Sequence, residues 1–356
     1  MHLSFHPLAV VAREPVADGA ICLTLAVPAE LEGDFDFAPG QHVALRATLG
    51  GREVRRTYSI VSAPRSGVLK LGIRVQAPGG LSHYLANKVA VGGSVEALSP
   101  TGRFMRPAAA APGRTYLAFA AGSGITPVLA IATAVLEQEP TARVTLVYGN
   151  RTAGRTMFLE DLLGLKNRFL GRFAVHFVMS REPQDIDLFN GRLDEAKVRA
   201  LAGVLFDPAG VDEVFVCGPG DMVGSVREAL RGLGVAAPVH FERFATAGAI
   251  AAAATARPAP SGSGTEVTVV QDGRRRRFTM QSADDSVLDA AARAGIELPF
   301  SCRAGVCSTC RARVVSGAVT MANNVALEDW ELAAGFVLCC QARPTTPELE
   351  LSYDDK

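Results

Sequence analysis

The sequence predicts a multi-domain protein: an antiparallel β-barrel, an α/β domain with a parallel sheet, and a small α+β module at the C-terminus. Three observations carry this. A chain of 356 residues is too long for one compact core, and 48% of it is apolar, enough to fill several. The hydrophobic pattern changes near residue 106, from short strand-like runs to strands alternating with helical stretches. Residues 247–264, AGAIAAAATARPAPSGSG, are low in complexity, carry one charge and end in Pro, Ser and Gly, as an interdomain linker does. The expected boundaries are therefore 1–106, 107–246, a linker at 247–264, and 265–356.

In the first stretch, ICLTLAV, HVALRATL, VLKLGIRVQ and SVEALSP alternate or carry branched residues, and Gly and Pro clusters separate them. Short strands spaced in this way suit a small barrel. In the second, TYLAFA, RVTLVYG, FAVHFVMS and EVFVCG alternate with helical TPVLAIATAVLEQ and GDMVGSVREALRGLG. That order implies crossover helices on a parallel sheet. In the third, EVTVV and RRRRFTM precede a helix through SVLDAAARAG and then a cysteine-rich loop. This third stretch holds 13 Asp and Glu against 10 Lys and Arg, so it is slightly acidic.

Lysine and arginine balance aspartate and glutamate, 36 against 36, which argues against a general nucleic-acid binder. Seven cysteines, an odd number in a chain needing no staples, suit a reducing, cytoplasmic setting better than a disulfide framework. No basic leader with a small-residue cleavage site is visible at the start. The uncharged run TYLAFAAGSGITPVLAIATAVL is long enough to cross a bilayer. Gly-Ser-Gly-Ile-Thr-Pro interrupts it, so a strand, a tight loop and a buried helix are expected instead of a membrane span.

The chemistry concentrates in SCRAGVCSTC, where Cys302, Cys307 and Cys310 are spaced C-x4-C-x2-C, and in GFVLCCQARP, which offers Cys339 and Cys340. Structural zinc takes two C-x2-C knuckles or adds histidines, but there is one knuckle here and no His after His240. C-x4-C-x2-C with one distant cysteine is the plant-type [2Fe–2S] spacing. The small residues Ala304, Gly305, Ser308 and Thr309 let the backbone wrap a cluster and point N–H groups at sulfur. Spacing alone leaves Cys339 and Cys340 both open as the fourth ligand. The sequence CRAGVCSTCRARVVSG with GFVLCCQARP resembles the plant-type ferredoxin domain. The resemblance implies a β-grasp fold and a final G-[FY]-V-L-x-C-Q pattern, which makes Cys340 the ligand and leaves Cys339 at a variable position.

Upstream, RRTYSI resembles the R-x-Y-S motif of the ferredoxin–NADP reductase family. The resemblance implies FAD, with FMN a weaker alternative. It places Arg56 on the pyrophosphate, Thr57 and Tyr58 along the flavin and ribityl chain, and Ser59 near flavin N5. IRVQAPGGLSHYL extends the likeness: Arg74 and Val75 line the strand, and the Gly80-Leu81-Ser82 corner takes the other side of the pyrophosphate at a helix start. SPTGRF fits the barrel's end.

AAGSGITPVLA is not a strict GxGxxG, and alone it is a weak dinucleotide signal. Gly122 and Gly124 still permit a tight turn, and Thr126-Pro127 open a helix. Its G-x-G-I-T-P form resembles the same family's nicotinamide loop, with Thr126 near the nicotinamide. VFVCGPGDMV supplies Cys217, Gly218 and Pro219, and a lone cysteine ending a strand is by itself an ordinary core residue. The likeness assigns Cys217 to the nicotinamide C4, Glu242 in FERF to the same site, and Phe244 to the flavin face. By the same likeness Ser59, Cys217 and Glu242 form the catalytic set. Arg151, Arg155, Ser180 and Arg181 provide the cations and hydroxyl that a 2′-phosphate needs, and no acid stands where one would grip a ribose diol, so NADPH is expected over NADH.

The whole chain then resembles an electron-transfer reductase running NADPH to FAD to [2Fe–2S]. YGNRT, MFLEDL, SREPQ, CRAGVCSTC and ALEDWELAAGFVL resemble the reductase subunits of ring-1,2-phenylacetyl-CoA epoxidase complexes, which implies a di-iron oxygenase as electron acceptor. A reductase for a Rieske or steroid hydroxylase, or a stand-alone ferredoxin reductase, is the alternative. A redox sensor or a superoxide-producing oxidase is a different class, and a visible spectrum that bleaches or fails to bleach with NADPH separates them.

Overall fold

The computed structural model describes residues 5–76, 78–105, 112–244 and 264–355, which form two compact units parted after Phe244. The expected linker at 247–264 falls outside the described residues except for Gly264, as does the 106/107 boundary.

The first unit opens with β1 (Phe5–Ala17), β2 (Ala20–Ala26), β3 (His42–Leu49), β4 (Arg52–Ser59) and β5 (Val68–Arg74). Helix α1 (Leu81–Asn87) and β6 (Ser94–Leu98) follow. The strands pair in the order β4-β3-β6-β1-β2-β5, and the two edges meet through an antiparallel Ile60–Leu71 bridge. The sheet thereby curls toward closure around Leu8, Leu23, Leu45, Ile60, Leu71 and Ile73, all fully buried. Gly50-Gly51, both at positive φ, form the two-residue turn between β3 and β4. That turn twist matches the strands and fixes the register that sets Ser59 opposite His42.

The same unit continues with β7 (Thr115–Ala121), α2 (Ile125–Gln138), β8 (Arg143–Asn150), α3 (Leu159–Arg168) and β9 (Phe173–Met179). It ends with α4 (Glu195–Leu201), β10 (Glu213–Pro219), α5 (Gly220–Gly232) and β11 (Val239–Phe244). The five strands are parallel, in the order β11-β10-β7-β8-β9. Chain order reverses between β7 and β10, the switch point where such sheets bind ligands. Eleven of the fourteen α2 residues are buried, because the helix is covered on more than its sheet face. Its Ile125, Val128 and Ile131 share one core with Ala20 and Cys22 of β2 and with Phe104. This explains the uncharged run 115–136 as strand, tight loop and buried helix. Among the described residues no helix is long and apolar enough to cross a membrane.

The second unit holds β12 (Thr265–Gln271), β13 (Arg274–Met280), α6 (Val287–Arg293), β14 (Arg311–Ser316) and β15 (Val319–Met321). Then come α7 (Asp329–Ala333), β16 (Phe336–Leu338), β17 (Ala342–Pro344) and β18 (Glu348–Ser352). The main sheet runs β13-β12-β18-β14-β16, with β12 and β18 parallel at its centre and α6 packed across it, which is the expected β-grasp. Ser286 caps α6 by accepting from the Asp289 N–H at 3.2 Å.

Candidate functional site

Two sets of residues assemble, one in each unit. In the second, the loop from Ser301 to Cys310 is forced into a tight coil by left-handed φ at Arg303 (55°), Gly305 (73°) and Ser308 (52°). At Gly305 a side chain has no room: a Cβ would stand 2.8 Å from the Asn323 carbonyl oxygen and 3.1 Å from Gln341 Cγ. The coil turns main-chain donors onto sulfur. Ala304 and Val306 N–H groups donate to Cys302 Sγ at 3.3 and 3.4 Å, and the Cys302 N–H donates to Cys307 Sγ at 3.5 Å. The Thr309 hydroxyl adds a bond to Cys307 Sγ at 3.2 Å, and Gln341 Nε2 approaches Cys340 Sγ at 3.6 Å.

The thiols stand in two pairs, Cys302 with Cys307 and Cys310 with Cys340. Its hydrogen bond from Cys307, helped by the backbone donors, pushes the Cys302 thiol down to about 6, so that sulfur already favours the thiolate. Among the described residues no three His, Cys, Asp or Glu side chains close around one point as a single ion requires. Two cysteine pairs, with N–H donors turned onto Cys302, Cys307 and Cys340, would instead fit a two-iron cluster, one pair for each iron. Cys339 is turned away. Its thiol is fully buried in the β-grasp core, faces the Tyr353 hydroxyl, and is pushed up to about 12 by burial. Its backbone ties the site together, donating to the Cys310 carbonyl and accepting from Leu288 at 3.0 and 3.1 Å.

In the first unit, Arg56, Thr57, Tyr58 and Ser59 lie along β4, and α1 packs against β3, β4 and β5. Arg56 uses one N–H on the Arg55 carbonyl at 2.7 Å and is half-exposed, a fork suited to phosphate oxygens. Burial pushes the Tyr58 phenol well up, so it stays neutral. Gly80 is the N-cap of α1, and buried Ser82 accepts the Gln76 N–H at 3.0 Å, shaping the corner after Val75. Arg74 behaves differently from its neighbours: its guanidinium donates to the Asp18 and Arg155 carbonyls at 2.8 and 2.6 Å.

Around the switch point, the turn Gly122–Gly124 follows β7, and Cys217-Gly218-Pro219 ends β10. The two are in van der Waals contact through glycine: a Cβ on Gly124 would fall 2.1 Å from the Cys217 carbonyl oxygen. Thr126 is buried and donates back to the Ser123 carbonyl at 2.8 Å, while Gly72 of β5 leaves space for its methyl. Parallel register sets Cys217 beside Glu242 and Pro219 beside Phe244. The Cys217 thiol lies 3.9 Å from Glu242 Oε2, and burial, then that carboxylate, keeps it protonated.

Sequence reading missed His42. It is buried on β3 next to Ser59, and its Nδ1 reaches Glu242 Oε1 at 3.4 Å, within ion-pair range though short of hydrogen-bond geometry. A single histidine in a strand gives no periodic signal, and its partner lies 200 residues away. At the far end of the sheet, Ser180 and Arg181 N–H groups bond the Asn150 and Arg151 carbonyls, both at 2.9 Å, so Arg151, Ser180 and Arg181 gather at the exposed ends of β8 and β9.

Fold and sites together define a flavin- and iron–sulfur-dependent oxidoreductase. Family models match in the same order: the oxidoreductase FAD-binding domain over residues 7–105, the oxidoreductase NAD-binding domain over 119–228, and the 2Fe-2S iron-sulfur cluster binding domain over 269–345. The chain is 40% identical, over 99% of both chains, to a 1,2-phenylacetyl-CoA epoxidase subunit of Escherichia coli (strain K12). It is 31% identical to the ferredoxin reductase component of 3-ketosteroid-9-alpha-monooxygenase of Rhodococcus rhodochrous, over 93% of this chain and 92% of that one. Among solved structures, phthalate dioxygenase reductase shares the fold at TM-score 0.57 and 21% identity, covering 98% of each chain. An intact type IV self-sufficient cytochrome P450 monooxygenase matches at TM-score 0.70 and 23% identity, over 98% of this chain but 41% of that one. The chain belongs to the family of oxygenase reductase components that includes this Escherichia coli protein, and it carries electrons from NAD(P)H through FAD to [2Fe–2S].

Proposed function

We propose that this protein is the NADPH-dependent reductase of a phenylacetyl-CoA epoxidase and delivers electrons to its di-iron oxygenase subunits in the cytoplasm. The observation that carries the reading is end-to-end likeness, 40% over 99% of both chains, in a molecule whose cysteine loop and β4, β7 and β10 motifs are all formed. The ketosteroid reading rests on a likeness of 31%. The modules proposed are 1–106 for FAD, 107–246 for NADPH, a linker at 247–264, and 265–356 for the cluster.

When bound, FAD takes up a hydride from the nicotinamide and the cluster carries electrons singly. The chain's own part is positioning. Arg56 meets the pyrophosphate as a fork, with Gly80, Leu81 and Ser82 opposite, while Thr57, Tyr58 and Val75 line the flavin. Ser59 donates at the reacting edge. Gly122, Gly124, Thr126, Gly218 and Pro219 form the nicotinamide slot, Phe244 closes its rim, and Cys217 with Glu242 fixes the ring over Ser59. Arg151, Ser180 and Arg181 receive the 2′-phosphate. Cys302, Cys307, Cys310 and Cys340 hold the iron.

The test is reconstitution. The loaded protein is mixed with NADPH, phenylacetyl-CoA and separately purified di-iron oxygenase subunits, and epoxide formation is measured. Epoxide in step with NADPH consumption is expected. Electron delivery to a ketosteroid or Rieske oxygenase in place of the di-iron subunits would overturn the assignment.

A further inference from the structure

We infer that Arg74 is a positioning residue for nucleotide selection: it clamps the loop that carries Arg151 and Arg155 against the barrel. The inference rests on the NADPH reading above. The loop between β8 and α3 is gripped from two sides. On the sheet side, the Arg181 N–H bonds the Arg151 carbonyl at 2.9 Å, and Glu182 accepts the Ala153 N–H at 2.8 Å. On the barrel side, the tip of the β1–β2 hairpin donates its Asp18 N–H to the Gly154 carbonyl at 2.7 Å. Arg74, on β5, then bridges hairpin and loop, with one arm on the Asp18 carbonyl at 2.8 Å and the other on the Arg155 carbonyl at 2.6 Å.

A planar fork holds two carbonyls on separate N–H groups at a fixed spacing, whereas the donors of a lysine share one nitrogen on a flexible stem. The clamp also gathers like charges. Arg74 is made harder to charge, first by burial, and Arg155 and Arg151 add to the effect although the Tyr148 side chain opposes it. Main-chain bonds hold the loop that carries Arg151 and Arg155 beside Arg74, and a dianionic phosphate is the best match for cations so placed. Holding Arg151 and Arg155 in place before the nucleotide binds removes an ordering cost that would otherwise weaken affinity. In the reading above Arg151 serves the 2′-phosphate, so the effect should fall there.

Titration calorimetry of the loaded protein with 2′,5′-ADP and with 5′-AMP tests the idea. Arg74→Lys and Arg74→Gln should each bind 2′,5′-ADP about tenfold more weakly, with 5′-AMP affinity and flavin content unchanged. The KM for NADPH should rise while kcat holds. Gly154→Val provides a second route that leaves Arg74 in place, because a Cβ there meets Asp18 Oδ2 at 2.5 Å and a branched side chain crowds the hairpin tip at Asp18. The same selective loss is expected. Wild-type affinity for 2′,5′-ADP in all three variants overturns the clamp. Loss of flavin with 2′,5′-ADP binding intact also overturns it and returns Arg74 to the flavin phosphates. Equal binding of 2′,5′-ADP and 5′-AMP by the wild type removes the NADPH reading and the inference with it.

Discussion

Replacing Cys339 and Cys340 singly by serine should give opposite results, although the two are neighbours in sequence. Cys340 stands beside Cys310 as half of one cysteine pair, so Cys340→Ser should remove a ligand from one iron. The cluster should be lost, along with its visible bands and about half or more of the bound iron. Cys339 faces the Tyr353 hydroxyl in a dry core. A hydroxyl placed there costs about 1–3 kcal/mol in desolvation, and a bond to Tyr353 returns about 1 kcal/mol. A net cost of about 1 kcal/mol lowers the melting temperature of a domain this size by about 4–8 °C and leaves the site intact. Visible absorption, iron and acid-labile sulfide content and the spin-resonance signal of the reduced protein read the cluster, and a thermal scan reads stability. A cluster lost from Cys339→Ser but kept in Cys340→Ser would refute the assignment and the fold-based reason for it.

Other outcomes follow from the same geometry. Gly124→Ala drives a methyl into the Cys217 carbonyl, an overpacking of about 1–3 kcal/mol against backbone that cannot step aside. Flavin reduction by NADPH should slow by at least about tenfold, while dithionite still reduces the cluster. Cys217→Ala should slow flavin reduction by about tenfold or more in stopped flow without altering flavin content, and an unchanged rate would remove the thiol from the nicotinamide site. Acid should weaken the second unit through Asp284. The Arg293 guanidinium, bonding it at 2.9 and 2.7 Å, holds its carboxyl below the usual carboxylate range. A depressed folded value gives stability that is present above the unfolded carboxylate pKa and lost as pH falls through the folded one. Asp284→Asn should therefore cost about 1 kcal/mol in urea melts at pH 7, with the gap closing as pH falls through the depressed carboxyl pKa of the folded state.

The sequence disclosed the parts governed by local rules. Cysteine spacing and the change from strand-like runs to alternating strands and helices each act over short stretches, and the coiled cysteine loop and the two kinds of sheet follow from them. The choice of Cys340 over Cys339 was not settled by spacing. The ferredoxin resemblance points to Cys340, and the structure adds that Cys339 faces Tyr353 in the core while Cys340 stands beside Cys310. Pairings across long separations were hidden as well: His42 with Glu242, and Arg74 with Asp18 and Arg155, are set by how barrel and sheet meet. Arg74 was expected to line the strand at the pyrophosphate corner because its neighbours carry that motif. Its guanidinium serves two carbonyls that no local pattern could connect to it.

The division of the chain follows the division of the chemistry. Hydride transfer needs donor and acceptor atoms about 3–3.5 Å apart and aligned, so two separately folded modules could not sustain it while moving freely. The barrel and the parallel sheet accordingly form one compact unit, with Ala20, Cys22 and Phe104 inside the core of α2. Polar groups meet along the same seam, where His42 lies beside Glu242 near the switch point and Arg74 bonds the loop after β8. The [2Fe–2S] module accepts electrons, which make no such demand on atomic contact, and it folds as a unit of its own after Phe244. A chain that must both fix a hydride and hand electrons onward gains by keeping barrel and parallel sheet in one compact unit and the cluster in another.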